Sequence, residues 1–229
     1  MAIETNPLLA LGLLRRDAPK SVAGMRRFRL IIDNDGALPA RIKRLFVACA
    51  ATVKAYSEMA LRELQAARDA GLSEAEAASA VAILSSVRGE GAALRFHGLF
   101  MQVYPEAEDP AVSDDDLAVA PGEAERNFLG YFGSMPPSLG KLLDLIPVGG
   151  DAYYLLREGT LSGTRLEAAH AELLLVTVLV ADYSNWASVH MNGARKAGAS
   201  ETAVAEAVLC AVPTSGLSAW VVGATAMDA

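Results

Sequence analysis

Two distant stretches of this chain carry the same features in the same order. Tyr56-Ser57-Glu58-Met59-Ala60, followed by Ala67-Arg68-Asp69-Ala70-Gly71-Leu72-Ser73-Glu74, is answered by Tyr183-Ser184-Asn185-Trp186-Ala187 and Ala194-Arg195-Lys196-Ala197-Gly198-Ala199-Ser200-Glu201. The register continues, with Ala78, Ala80, Val81, Gly89 and Ala92 against Ala205, Ala207, Val208, Gly216 and Ala219. Upstream, Leu14, Pro19, Arg29 and Leu38 correspond to Leu142, Pro147, Arg157 and Leu166 in a register one residue different. A repeat this long is no solenoid unit and reads as a duplicated domain. The expected layout is a first repeat over residues 1–103, an acidic linker over 104–126 and a second repeat over 127–229. Positions that differ between the repeats are then informative, above all Glu63 against His190.

The repeated pattern is helical. Hydrophobic residues make up 52% of the chain and aromatics 6%, and strand-type alternation is missing. That combination points to an all-α fold packed closely through small side chains. Ala40 to Lys54 and Glu167 to Val180 read as buried helices. Each precedes a polar break, Ala55-Tyr56-Ser57 or Asp182-Tyr183-Ser184-Asn185, whose short side chains suit helix starts. Gly71 and Gly198 suit the left-handed residue just past the next helix. Ser73 and Ser200, each followed by Glu, open the last helices, expected to run to about Phe100 and Ala226 with a kink at Pro213.

Several function classes fall away. The net charge of −7, with no aromatic-flanked basic cluster, argues against nucleic acid. Cys49 and Cys210 lie in separate apolar runs and read as small buried hydrophobes. With no CxxC, HExxH or Cys/His cluster, no metal or other cofactor is expected. Asp114-Asp115-Asp116 lacks calcium-loop spacing and reads as solvated linker. Lys141 to Val180 is too interrupted to cross a membrane, and Arg15 and Arg16 follow the Leu8 to Leu14 run instead of preceding it as in a signal peptide. A cytoplasmic protein with no membrane partner is the expectation.

One set of residues could do chemistry. Imidazole titrates near neutrality without much tuning, so His190 is the candidate acid–base group. Glu172 lies eighteen residues earlier, about 27 Å away on an unbroken helix. The two meet only if the chain reverses at residues 182–185, and the carboxylate would then orient the imidazole. Trp186 lies one turn before His190 and could wall an apolar pocket, to which Tyr183 could offer its phenol. Asp182 and Ser184 are candidate binding residues that also suit helix capping, while His97 and His170 carry no motif and read as structural. The first repeat offers Arg44 and Glu63 in place of Glu172 and His190, a pair suited to a permanent ion pair. An alternative is that Arg44 or Arg68 recognises a substrate carboxylate across the pseudo-twofold.

The segment from Glu172 to Gly216, and above all Tyr183-Ser184-Asn185-Trp186-Ala187-Ser188-Val189-His190-Met191-Asn192-Gly193-Ala194-Arg195-Lys196-Ala197-Gly198-Ala199-Ser200, resembles the carboxymuconolactone decarboxylase and alkylhydroperoxidase D-like superfamily. The resemblance implies a homo-oligomer, with a trimer as the leading guess, and sites beside the break between helices. Its redox branch has a Cys-x-x-Cys ending four residues before the His. Tyr183 and Trp186 occupy those places here, so dithiol peroxidase chemistry is not expected. The non-redox branch implies a cofactor-independent lyase, decarboxylase or isomerase acting on a small carboxylated or lactone substrate. There His190 would move the proton, Glu172 would orient it, and Tyr183 with Trp186 would shape the pocket. A ligand-binding or assembly protein of the same fold that has lost the chemistry is the alternative.

Overall fold

The computed structural model describes residues 6–107 and 117–228, and among these every regular element is a helix. In the first half these are α1 Pro7–Ala10, α2 Gly12–Asp17, α3 Pro19–Asp33, α4 Ala40–Val53, α5 Ser57–Asp69, α6 Glu74–Arg88 and α7 Glu90–Val103. The second half has α8 Glu123–Phe132, α9 Pro137–Leu145, α10 Pro147–Ser162, α11 Ala168–Ala181, α12 Ala187–Lys196, α13 Glu201–Leu209, α14 Val212–Ser215 and α15 Leu217–Met227. No helix among the described residues is long and apolar enough to cross a membrane.

The centre is built on α4 and α11, which pack against each other and draw residues from both halves into one buried cluster. Every residue of α11 from Ala171 to Ala181 is buried, so beyond its first turn that helix has no solvent face. Its one mid-helix hydroxyl, on Thr177, donates to the carbonyl oxygens of Leu173 and Ala207, as a buried polar group must. Each buried Leu or Val there stabilises the fold by about 1.5–3 kcal/mol. Cys49 and Cys210 sit in this core, and burial raises both thiol pKa values far above the ordinary range.

The chain reverses after α4 and after α11, and the devices match. Ala55 (φ 60°) and Tyr183 (φ 57°) are left-handed. The next amides, of Tyr56 and Ser184, reach back to the carbonyls of Ala51 and Leu179, both at 2.9 Å. This is a Schellman-type ending built on a non-glycine residue. It corrects the sequence reading twice. The breaks end the preceding helices, and neither Tyr56 nor Trp186 caps its own helix through a side chain. Further, Tyr183 stands where Ala55 stands, so the two Tyr-Ser pairs are not in equivalent places. The second half is one residue shorter after this point. There α12 opens on tighter bonds, Ala187 to Ser184, Ser188 to Asn185 and Val189 to Trp186, whereas α5 opens with Ala60 to Tyr56. Because a left-handed Ala costs about 1–2 kcal/mol, Ala55→Gly should raise the unfolding free energy in urea by about 1 kcal/mol.

The last helices also differ from expectation. They break outright at Gly89 (φ 77°, ψ 179°) and Gly216 (φ 73°, ψ −173°), a backbone region open only to glycine. Pro213 begins the short α14 instead of kinking a longer helix. Ser73 and Ser200 do cap, each accepting from the amide three residues on. Helix α8 begins at Glu123, within the span 104–126 expected as linker; Asp114-Asp115-Asp116 lies outside the described residues.

Candidate functional site

The reversal at Tyr183 lays α12 back along α11. His190 Nδ1 then stands 2.7 Å from Glu172 Oε2. Glu172 is buried, and the space for its carboxylate comes from Gly193, one turn beyond His190. A Cβ at Gly193 would collide with Glu172 Oε1 and its carboxyl carbon. Gly193→Ala should therefore push the carboxylate off the imidazole and lower stability by about 1–3 kcal/mol, measured by urea unfolding.

The other carboxylate oxygen is also held. Tyr131, at the end of α8, donates its phenol to Glu172 Oε1 at 2.9 Å. Burial, then the neighbouring carboxylate, pushes the Tyr131 phenol far above its ordinary pKa, so it stays a donor. Arg157 of α10 stacks on the Tyr131 ring, 3.7 Å from its centroid, and its Nη1 donates to Asn127 Oδ1 at 2.7 Å. The result is a chain of contacts, Arg157 on Tyr131, Tyr131 to Glu172, Glu172 to His190. With Nδ1 committed as donor to a carboxylate, His190 has Nε2 left as an acceptor.

His190, Tyr131 and Arg157 share the wall of a cavity of about 310 Å³, at the small end of ligand sites. Phe132, Leu156, Leu175, Leu179 and Trp186 make it mostly apolar, and Ser86 and Val87 of α6 bring the first half into its lining. Arg157 is only 8% exposed, and its Nε has no hydrogen-bond partner. A buried guanidinium N–H without an acceptor is costly, and Arg157 places a positive charge at this wall.

The residues expected from the sequence divide. His190 and Glu172 come together, and Trp186 reaches the cavity wall while remaining largely exposed. Tyr183, Ser184 and Asp182 do not line the cavity. The Tyr183 phenol donates to the Ser215 carbonyl at 2.5 Å, and Lys54 lies over its ring. Ser184 Oγ accepts from the Trp186 amide. Asp182 is engaged by Lys54 at 2.9 Å and by Arg88, tying the two halves. These three are held by the turn and by contacts across the halves.

In the first half, Glu63 is paired, but not with Arg44. Arg29 Nη1 and Nη2 donate to Glu63 Oε1 and Oε2 at 3.1 and 3.0 Å, and Arg29 also holds Asp33. Arg44 reaches Asp33 at 3.1 Å instead. The one-register comparison of Arg44 with Glu172 overlooked that the α3 arginine lies closer to the α5 carboxylate. Arg68 is committed to Asp69 and the Val103 carbonyl, so neither Arg44 nor Arg68 is placed to meet a ligand at the His190 cavity.

Tyr131 and Arg157 were missed as site residues. Arg157 had a signal, its correspondence with Arg29. Tyr131 had none, lying just after the stretch read as linker. Among the described residues no group of three or more His, Cys, Asp or Glu could hold a metal ion.

Residues 147–229 match the family model described as the carboxymuconolactone decarboxylase family. The match covers only the C-terminal part of the chain. The matched segment contains Arg157, Glu172 and His190, whereas Tyr131 enters from outside it. A comparison with curated proteins gave no match.

Proposed function

We propose that this protein is a cofactor-independent enzyme that moves a proton on a small carboxylated or lactone substrate bound beside His190. The observation that carries the reading is the 2.7 Å contact of His190 with buried Glu172 at the wall of a cavity of substrate size. Glu172, held by Tyr131, orients the imidazole, and Nε2 exchanges the proton with the substrate. In a decarboxylation the electrons of the broken C–C bond stay on the substrate as an enolate, carbon dioxide leaves, and His190 delivers to carbon a proton that Nε2 has taken up from solvent. In an isomerisation the same nitrogen takes a proton from one carbon and returns it to another. The Arg157 guanidinium at the cavity wall supports a carboxylate on the substrate, since a guanidinium matches that group. Trp186 and the leucines exclude water from the reacting carbon.

The two halves are read as copies of one unit. The first has exchanged acid–base chemistry for the fixed Arg29–Glu63 pair. Exposed Leu11, Leu13, Leu30, Leu145 and Ile146 support assembly with further copies of the chain; light scattering should give a trimer.

The test is a panel of carboxylated lactones and unsaturated acids assayed for carbon dioxide release and for isomerised product. Turnover should fall to background in His190→Gln. Thermal stabilisation by a panel member that persists in His190→Gln, with no conversion by the wild type, would favour a binding protein instead. Peroxide with a dithiol reductant should give background turnover only, because both thiols are buried and inert.

A further inference from the structure

A second cavity, of about 690 Å³, lies in the first half among α1, α3 and α5 and the chain around Gly216. Its frame parallels that of the His190 cavity. Helix α3 stands for α10 and α5 for α12, while residues 212–217 stand where Ser86 and Val87 stand in the other. The walls are apolar, with Met25, Phe28, Met59 and Leu217. The chemistry differs. Glu63 occupies the place of His190 and is locked to Arg29, so no free base faces this space.

Cations line it, and no acidic side chain does among the described residues. Lys20 is the second residue of α3, where α10 has Val148, and Arg62 precedes Glu63, where Val189 precedes His190. Arg29 spends its donors on Glu63 and Asp33. Arg62 does not. Its Nε is buried with no hydrogen-bond partner, and its Nη2 lies 3.7 Å from Glu63 Oε1, too far for a hydrogen bond. Arg62 and Lys20 therefore both stand on the wall of an apolar chamber, and the part-exposed Arg62 guanidinium has only a long ion pair to Glu63.

We propose that this second cavity binds, without converting it, a small amphipathic carboxylate whose hydrocarbon lies against Phe28, Met59 and Leu217 and whose carboxylate meets Arg62 and Lys20. A planar carboxylate accepts from a guanidinium edge in bidentate fashion, and the apolar walls take a hydrocarbon body. The site is independent of the chemistry assigned to His190.

The experiment is calorimetric titration of the full chain with octanoate and with 1-octanol, which share a tail and differ in the charged group. Octanoate should bind at least about tenfold more tightly, as a charge-assisted contact to a part-exposed guanidinium implies. Arg62→Gln should erase that preference. Gly24→Leu, built where a Cβ meets nothing within 4 Å, should fill the chamber and abolish octanoate binding while the helix is retained. Equal affinities, no octanoate binding, or binding unaffected by Gly24→Leu would overturn the proposal. So would a preference that survives Arg62→Gln and is lost in Arg157→Gln, since the anion would then sit beside His190.

Discussion

Replacing His190 with Gln should lower kcat at least about a hundredfold on any substrate the protein turns over, with KM changed little. A positioned acid–base group contributes about 10²–10⁴ in rate, and Gln keeps a similar volume and a polar end at the cavity wall while losing the titratable nitrogen. A fall in kcat and kcat/KM together would place the lost interaction in the transition state; a rise in KM alone would make His190 a binding residue. Glu172→Gln is the companion. It leaves an oxygen for Tyr131 to donate to but removes the charge that polarises the imidazole, so it should cost less than His190→Gln and still lower kcat. Steady-state kinetics on both variants, with circular dichroism to confirm folding, checks the order of effects.

The largest stability effect is expected far from that site. Arg29→Met should destabilise the fold by about 3–5 kcal/mol in urea unfolding, because Glu63 would be left as a buried carboxylate with its main partner gone. The side chains involved are 7% and 2% exposed, so water cannot replace the guanidinium. Adding Glu63→Leu to Arg29→Met should recover much of the loss, since it removes the stranded charge and fills the space with carbon. Asp33 keeps Arg44 in either variant. A loss below about 1 kcal/mol for Arg29→Met would mean that Glu63 finds other partners, with Arg62 the nearest cation.

The features most legible in the sequence were those set by local backbone physics. Gly71 and Gly198, at φ 93° and 95°, and the capping Ser73 and Ser200 stand where such residues must stand. The helices they bound were readable for that reason. Gly89 and Gly216 show the limit of that reading. A glycine in an apolar run can be tolerated or can end a helix, and only the surrounding packing decides which. The Tyr-Ser pairs show another limit. Identical letters suggested equivalence, yet the left-handed position falls on Ala55 in one half and Tyr183 in the other, because a tighter first turn of α12 absorbs the missing residue.

For the site, the sequence pointed to His190 and Glu172 through spacing and a polar break that lets the chain fold back. It could not place Tyr131, since that side chain reaches Glu172 only because α8 docks on α10, where Phe128 meets Tyr153 edge-on at 5.7 Å and Asn127 meets Glu158 at 3.1 Å. Nor could it separate Arg29 from Arg44 as the partner of Glu63, a choice made by the approach of α3 to α5. Contacts between elements distant in the chain carry no local signature.

The most direct measurement is long-range proton–nitrogen NMR of the His190 ring at a pH where it is neutral, with and without a ligand of the cavity. The expected result is a proton on Nδ1, fixed by Glu172, and an unprotonated Nε2 whose resonance shifts when the ligand enters. A proton on Nε2 instead, or an Nε2 resonance indifferent to a ligand that stabilises the chain and spares the second cavity, would contradict proton transfer at this residue.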